Sequence, residues 1–269
     1  MPPMYRLLLL ATLALCSFAG RATSTSCPHA ETIIQHAYPK AVLGTDGSYT
    51  VGGTSITLSQ EAGDPHAMTC KVWPAHPELI LAAVPLVRSS NQDETVSDLD
   101  VLMLDSRSLA VRYRLRLPGR IQEDAIALSG ITFDTARYRL SATSTAFGLR
   151  LAMANNSRAS PFTETDLLLF AVLDGKLRTV MDSLSVEQNR GEWDENCTGT
   201  FSTTSSTLDM AGTSHAGLAD IAVNIDKTVK TDTSHASKCE TKTNEHHTKV
   251  LLIFNGQNYT IPSEYSGLK

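Results

Sequence analysis

The 269-residue sequence has few aromatic residues, 6% of the total with only 2 Trp, and a modest 19% of charged residues. A charge fraction this low, beside 42% hydrophobic residues, is not that of a disordered, solvating chain. The 23 Lys and Arg against 28 Asp and Glu leave a net charge of −5, which argues against binding to a nucleic-acid backbone. We therefore expect a folded protein with a substantial core and no nucleic-acid partner.

Common motifs of catalysis and cofactor binding are missing from the sequence. It contains no Gly-x-Ser-x-Gly nucleophile elbow, no phosphate-binding glycine loop and no dinucleotide fingerprint. The paired CxxC spacing of zinc sites is also missing. These gaps predict no cofactor and favour a non-catalytic protein over an enzyme.

The first 22 residues have the pattern of a secretory signal peptide. Arg6 precedes an apolar run of about ten residues, and small residues that suit cleavage follow as far as Ala22. A bilayer-spanning helix needs about 20 apolar residues, so this run is too short for a membrane anchor, and no later run approaches that length. We expect removal of residues 1–22 and a single β-rich domain, residues 23–269, that is periplasmic or secreted.

Loss of the signal peptide would leave an even number of cysteines: Cys27, Cys70, Cys197 and Cys239. An oxidising compartment favours two disulfide bonds among them. Four cysteines allow three pairings, but the sequence neighbours are separated by nearly equal stretches of about 40 residues. This spacing favours two local bonds, Cys27–Cys70 and Cys197–Cys239.

The hydrophobic pattern predicts one short helix and about a dozen strands. Pro28 suits the first turn of a helix that has Ile33 and Ile34 on its apolar face and ends at Pro39. Beyond it, apolar and polar residues alternate, and turn sequences such as Asp174-Gly175 separate the segments. The predicted fold class is all-β: an antiparallel meander that forms a sandwich or a partial propeller-like stack, with one short N-terminal helix.

One polar segment interrupts this pattern. Residues 226–248 contain Val229 and little else that is apolar, so they lack a hydrophobic face to bury. We expect a long surface loop that Cys239 fastens to the rest of the chain.

Two groups of residues are candidates for binding a partner. Arg112, Arg114 and Arg116 alternate with apolar residues and therefore share one face of a predicted strand. Such a stripe is either an anion-binding face or, more commonly, the solvated side of a half-buried sheet. The second group is Trp193 with its acidic neighbours, an aromatic platform beside hydrogen-bond acceptors; alternatively, this Trp packs over the nearby disulfide.

Two catalytic alternatives remain open, both for a secreted hydrolase. Glu192 and Asp194 share a face if their segment is extended, which suits the two carboxylates of glycoside hydrolysis. His235, His246 and His247 offer imidazole ligands for a metal ion. Adjacent His246 and His247 would point to opposite faces of a strand, however, and their spacing matches no metalloprotease motif. The prediction is therefore that no metal is bound.

The all-β pattern, the disulfides and the missing catalytic motifs together predict a non-catalytic, exported binding protein. The form we expect is an inhibitor or immunity-type partner of an envelope enzyme or toxin. Its ligand would be a protein or glycan of the cell envelope. The alternative is a secreted hydrolase, carbohydrate-active or metal-assisted.

Overall fold

The computed structural model of the protein describes residues 27–58, 64–236 and 238–268. The predicted signal peptide, residues 1–22, lies outside the described residues. Within the described part, the chain forms one α-helix, one short 3-10 helix and fourteen strands. No helix of this part is long and apolar enough to cross a membrane.

The strands form two antiparallel sheets of seven strands each. The first, the N-sheet, contains β1 (Val42–Leu43), β2 (Tyr49–Val51), β3 (Thr54–Ile56), β4 (Thr69–Trp73), β5 (His76–Ser90), β6 (Thr95–Asp105) and β7 (Val111–Glu123). The second, the C-sheet, contains β8 (Ala127–Arg139), β9 (Thr145–Ala154), β10 (Phe162–Leu173), β11 (Lys176–Trp193), β12 (Gly199–His215), β13 (Leu218–His235) and β14 (Lys238–Leu252). The C-sheet is a simple meander, since each strand pairs with its neighbours in sequence.

The predicted N-terminal helix is α1, Ala30–Ala37. It buries Ile33, Ile34 and Ala37 in a cluster that includes apolar residues of β5 and β6. The Cys27–Cys70 bond, across a sequence separation of 43, fastens the chain just before this helix to β4. Both the helix and this disulfide pairing are confirmed.

The main core holds residues from both sheets. Leu99, Val101 and Met103 of β6 belong to the same buried cluster as Phe147 of β9 and Phe170 of β10. The rings of Phe147 and Phe170 stack with centroids 5.5 Å apart. Two antiparallel sheets with a shared apolar core confirm the all-β, sandwich-like prediction.

A second core lies within the C-sheet itself. Leu167 and Leu169 of β10 cluster with Ile221 and Val223 of β13, and the Ala219 amide donates to the Leu140 carbonyl at 2.7 Å. The chain just after β8 therefore contacts the start of β13, although these two strands are not neighbours in the sheet. The residues after β14 continue over this core, where Phe254 and Tyr259 are buried.

The prediction of a polar loop at residues 226–248 is wrong. This segment is part of a β-hairpin whose register runs without interruption from Ile221 opposite Leu252 to His235 opposite Lys238. The apolar residues at the base of the hairpin are buried and set the register. Beyond them, backbone hydrogen bonds between the two Thr-rich strands continue the pairing, although these strands have no apolar face. The expected fastening is confirmed: Cys239 is bonded to Cys197 across a sequence separation of 42.

Candidate functional site

The outer part of the C-sheet is ordered yet lies beyond the cores. We call it the arm and define it as residues 187–193 of β11, 199–205 of β12, 226–235 of β13 and 238–249 of β14. Every described residue of β14 from Lys238 to Lys249 is exposed. No described arm residue belongs to a buried hydrophobic cluster, and the Cys197–Cys239 bond joins the start of β14 to the chain before β12.

The two faces of the arm carry different charges. Strand register places six basic residues on one face, which we call the basic face: Arg190, Lys227, His235, Lys238, Lys242 and His246. Glu192 and Glu240 share that face, and the remaining positions are mostly Ser, Thr and Asn. The opposite face, the acidic face, carries Glu187, Asp226, Asp232 and Glu245, with Lys230, His247 and Lys249 as its basic residues.

Trp193 lies on the acidic face and is half-buried at the end of β11. Its backbone amide donates to the Ala159 carbonyl at 2.8 Å, and its ring approaches Gly199 on the neighbouring strand. The Phe201 ring covers Gly191 in the same way. The two aromatic residues form a small apolar patch on an otherwise polar arm.

The carboxylates beside Trp193 have different surroundings. Glu192 is exposed and accepts a hydrogen bond from the Ser160 hydroxyl at 2.9 Å. The Asp194 Oδ1 accepts from the backbone amides of Asn196 and Thr198, each at 2.9 Å. Backbone donation from Thr198 and then Asn196 lowers the pKa of Asp194. Asp194 therefore stabilises the turn between β11 and β12.

The arginine stripe surrounds a buried carboxylate. Arg114 and Arg116 both donate to Asp100, which is fully buried, while Arg112 pairs with Asp105 at the end of β6. The Tyr38 hydroxyl donates to Asp100 Oδ2 at 2.7 Å, and the Arg114 guanidinium lies over the Tyr38 ring at 4.5 Å. The stripe therefore ties β7 to β6 and to the helix end, with its outer edges still exposed.

The Asp100 carboxyl shows why this arrangement is stable. Burial works to raise its pKa, but hydrogen bonds from Arg116, Tyr38 and Arg114 outweigh burial and keep the pKa below its ordinary value. Burial and the neighbouring Asp100 charge raise the pKa of Tyr38, so this phenol stays protonated. Asp100 remains ionised and holds both arginines in place.

The three candidate histidines are not brought together. His246 and His247 are neighbours on β14 and point to opposite faces, where they lie across from Lys227 and Asp226. His235 ends β13, nine register positions from Asp226, which is roughly 30 Å of extended strand. Among the described residues, no group of three His, Cys, Asp or Glu side chains has the geometry of a metal site.

A cluster of buried charges was missed by sequence reasoning. Glu164 and Asp166 point from β10 into the interior, each 3% exposed. Burial and then the nearby Glu164 charge raise the pKa of Asp166 to about 7. Arg120 of β7 pairs with Asp182, and its guanidinium also donates to the Ser183 hydroxyl. The sequence did contain one signal of their burial. Glu164 and Asp166 are spaced at two-residue intervals from the core residues Leu168 and Phe170, so all four side chains point to the same face of β10.

The end of the chain covers these acids. The Leu268 amide donates to Glu164 Oε1 at 2.9 Å, and the Gly267 amide donates to the Ser183 carbonyl at 2.7 Å. Gly267 packs directly against the Asp166 carboxylate, so a Cβ at this position would displace that carboxylate.

Comparison with known proteins yields no match. No protein-family model, no curated protein and no solved structure is similar to the chain.

Proposed function

We propose that this is a non-catalytic, exported binding protein and that the arm is its recognition surface. Two disulfide bonds support an oxidising compartment outside the cytoplasm. A periplasmic or secreted location, after removal of residues 1–22, is part of the proposal.

The main support for the proposal is that the strands of the arm are continuously paired and yet exposed to solvent. Fifteen residues of β14 pair continuously with β13, yet those from Lys238 to Lys249 are all exposed. Strands that bury so little apolar surface gain little stability from the core. A disulfide-fastened surface loses little conformational entropy when a partner docks, which favours a binding role.

The charge pattern indicates the kind of partner. Lys227 and Lys242 are exposed on the basic face, and no ion pair involves either of them within the described ranges. Together with Arg190 they suit an acidic surface on a partner protein or an anionic glycan. An envelope enzyme or toxin that the protein inhibits is the partner we favour, since an inhibitor needs recognition and no chemistry of its own.

The hydrolase alternative has weaker support. The Asp194 carboxylate is bound to backbone amides of its own turn, and its lowered pKa is the opposite of what a general acid requires. The metal-assisted version needs His235 beside His246 and His247, and the strand register separates them.

Reversal of the arm charge tests the proposal. Wild-type protein and the double variant Lys227→Glu/Lys242→Glu are immobilised and exposed to the envelope fraction of the source organism. A double variant at two exposed lysines outside the arm, Lys40→Glu/Lys176→Glu, is the matched control. We expect a stoichiometric partner on wild type and control and at least about a tenfold loss of affinity on the arm variant. Equal binding by all three proteins, or no stoichiometric partner, contradicts the proposal.

A further inference from the structure

Strand β14 is the last strand of the C-sheet and pairs only with β13 among the described strands. Its outer side therefore presents a row of backbone N–H and C=O groups to which no described strand is bonded. The residues from Lys238 to Lys249 are exposed, and their pairing with β13 runs without a bulge. The strand contains neither Pro nor Gly. It is thus a long, regular edge that is open to a further strand.

The strands at the other ends of the two sheets carry features that hinder such pairing. Strand β8, at the opposite edge of the C-sheet, has register irregularities after Leu128 and after Asp134. In the N-sheet, β1 is only 2 residues long, and β7 contains Pro118. Bulges, short strands and prolines protect sheet edges against pairing with other chains. The regular edge of β14 lacks these three protections.

The charges on β14 are arranged so that one antiparallel register between two copies avoids repulsion. When Thr243 faces its own copy, each residue faces the one that lies equally far on the other side of Thr243. Glu240 then faces His246 at two symmetric places. Each remaining facing pair within residues 238–248 contains at most one charged or titratable side chain outside the disulfide: Lys238 with Thr248, Cys239 with His247, Thr241 with Glu245, and Lys242 with Asn244.

The neighbouring registers lack this complementarity. A pair centred on Lys242 sets that residue against its own copy, and a pair centred on Asn244 sets Lys242 against His246. A pair centred on Glu245 sets two carboxylates against each other. Like charges directly opposite each other destabilise an antiparallel pair. The charges of β14 therefore favour the register centred on Thr243.

We propose that two copies of the chain associate through β14, antiparallel and centred on Thr243, into one continuous sheet. Alternate residues of an edge strand turn their backbone groups outward, so pairing over residues 238–248 gives about ten hydrogen bonds between the copies. Facing residues of an antiparallel pair lie on the same side of the sheet, so the two basic faces adjoin. Both faces of the arm stay exposed, and the association does not rest on the function proposed above.

Sedimentation velocity of the purified protein tests the dimer. We expect a dimer at about 100 µM that dissociates on dilution. Glu240→Lys sets basic residues against each other at both Glu240–His246 pairs and should raise the dissociation constant at least about fivefold. Glu245→Lys makes the same charge change opposite Thr241, so this matched control should raise it less than about twofold.

A charge exchange shows whether the pairs form between copies. Glu240→Lys/His246→Glu restores opposite charges across the dimer and should return the dissociation constant to within about twofold of wild type. Positions 240 and 246 of one copy are roughly 20 Å apart along the strand, so the rescue can act only between copies.

A cysteine crosslink checks the register and does not depend on the charge variants. Thr243→Cys places two thiols across the symmetry axis with Cα atoms about 5 Å apart, which suits a disulfide bond. Thr241→Cys is exposed on the same face, but its two copies would be roughly 14 Å apart. We expect a disulfide-linked dimer on a non-reducing gel from Thr243→Cys and none from Thr241→Cys.

Three results would overturn the proposal: a monomer at about 100 µM, no rescue by the charge exchange, and equal crosslinking from the two cysteine variants. A monomeric protein that still captures an envelope partner would leave the recognition role of the arm intact. A dimer that captures no partner would contradict that role and support the association through β14.

Discussion

Arg116 and Asp100 lie opposite each other on β7 and β6, and the Arg116 Nε donates to Asp100 Oδ1 at 2.7 Å. Arg114 and Tyr38 share the same carboxylate. One buried acid therefore links two strands of the N-sheet to the end of the helix. Arg114 and Arg116, which the sequence suggested as part of an anion-binding face, are therefore already paired with a carboxylate of the protein itself.

Substitution of this acid should be costly. Asp100→Asn leaves Arg114 and Arg116 without their counter-ion in a site where the carboxylate is fully buried. We expect a loss of about 3 kcal/mol or more in the free energy of unfolding, measured by urea denaturation. Asp174→Asn, which breaks the exposed pair with Arg178, should cost less than about 1 kcal/mol. Equal effects of the two variants would contradict the assigned role of Asp100.

The pH dependence of the free energy of unfolding should reveal the raised pKa of Asp166. Its folded pKa of about 7 lies above its ordinary value of 3.8, so the folded state binds a proton that the unfolded state has lost. The contribution of this group is complete below pH 3.8 and falls as pH rises to about 7, by up to about 1.4 kcal/mol per pH unit. In Asp166→Asn that slope should disappear. Parallel stability curves for wild type and variant between pH 4 and pH 7 would show that the carboxyl is not perturbed.

The close approach of Phe201 to Gly191 should make any side chain at position 191 destabilising. A Cβ at position 191 would lie 2.6 Å from the Phe201 ring and 2.9 Å from Pro161. We expect Gly191→Ala to lower the free energy of unfolding by about 1–3 kcal/mol, through displacement of the aromatic patch. Gly212→Ala is the matched control, because a Cβ there has no described atom within 4 Å. A destabilisation that is no larger at 191 than at 212 would argue against tight packing here.

The sequence was sufficient for much of the fold and little of the site. Alternation of apolar residues revealed the core strands, and near-equal spacing revealed both disulfides. The hairpin at 226–248 was missed because hydrophobic periodicity is informative only where a strand has a face to bury. Its order comes from the register set at Ile221 and Val223, outside the segment itself.

The buried charges escaped prediction for a different reason. Glu164 and Arg120 are far apart in sequence, and polar residues are normally assigned to the solvent side of a strand. Only the curvature of the sheets and the return of the chain end at Gly267 bring these groups together. The sequence also placed the Asp194 carboxylate beside Trp193, but it did not show that backbone amides of the following turn would donate to this carboxylate.

The Cys197–Cys239 bond should control order in the arm and nowhere else. Cys197→Ser/Cys239→Ser removes the link at the start of β14 but leaves the buried base of the hairpin intact. We expect faster amide hydrogen exchange in residues 226–249 and unchanged exchange in β5 and β6. In Cys27→Ser/Cys70→Ser we expect faster exchange in α1 and unchanged exchange in residues 226–249. Uniformly faster exchange in either double variant would contradict this local effect.

Site-specific photo-crosslinking tests the central claim most directly. A photoreactive amino acid is placed at the exposed position Asn244 on the basic face of the arm, or at the exposed Lys40 as a control, and the protein is irradiated in its native compartment. We expect one dominant crosslinked species from Asn244 and none from Lys40. Crosslinks from Lys40 alone, or no crosslinked species from either position, would contradict a recognition role for the arm.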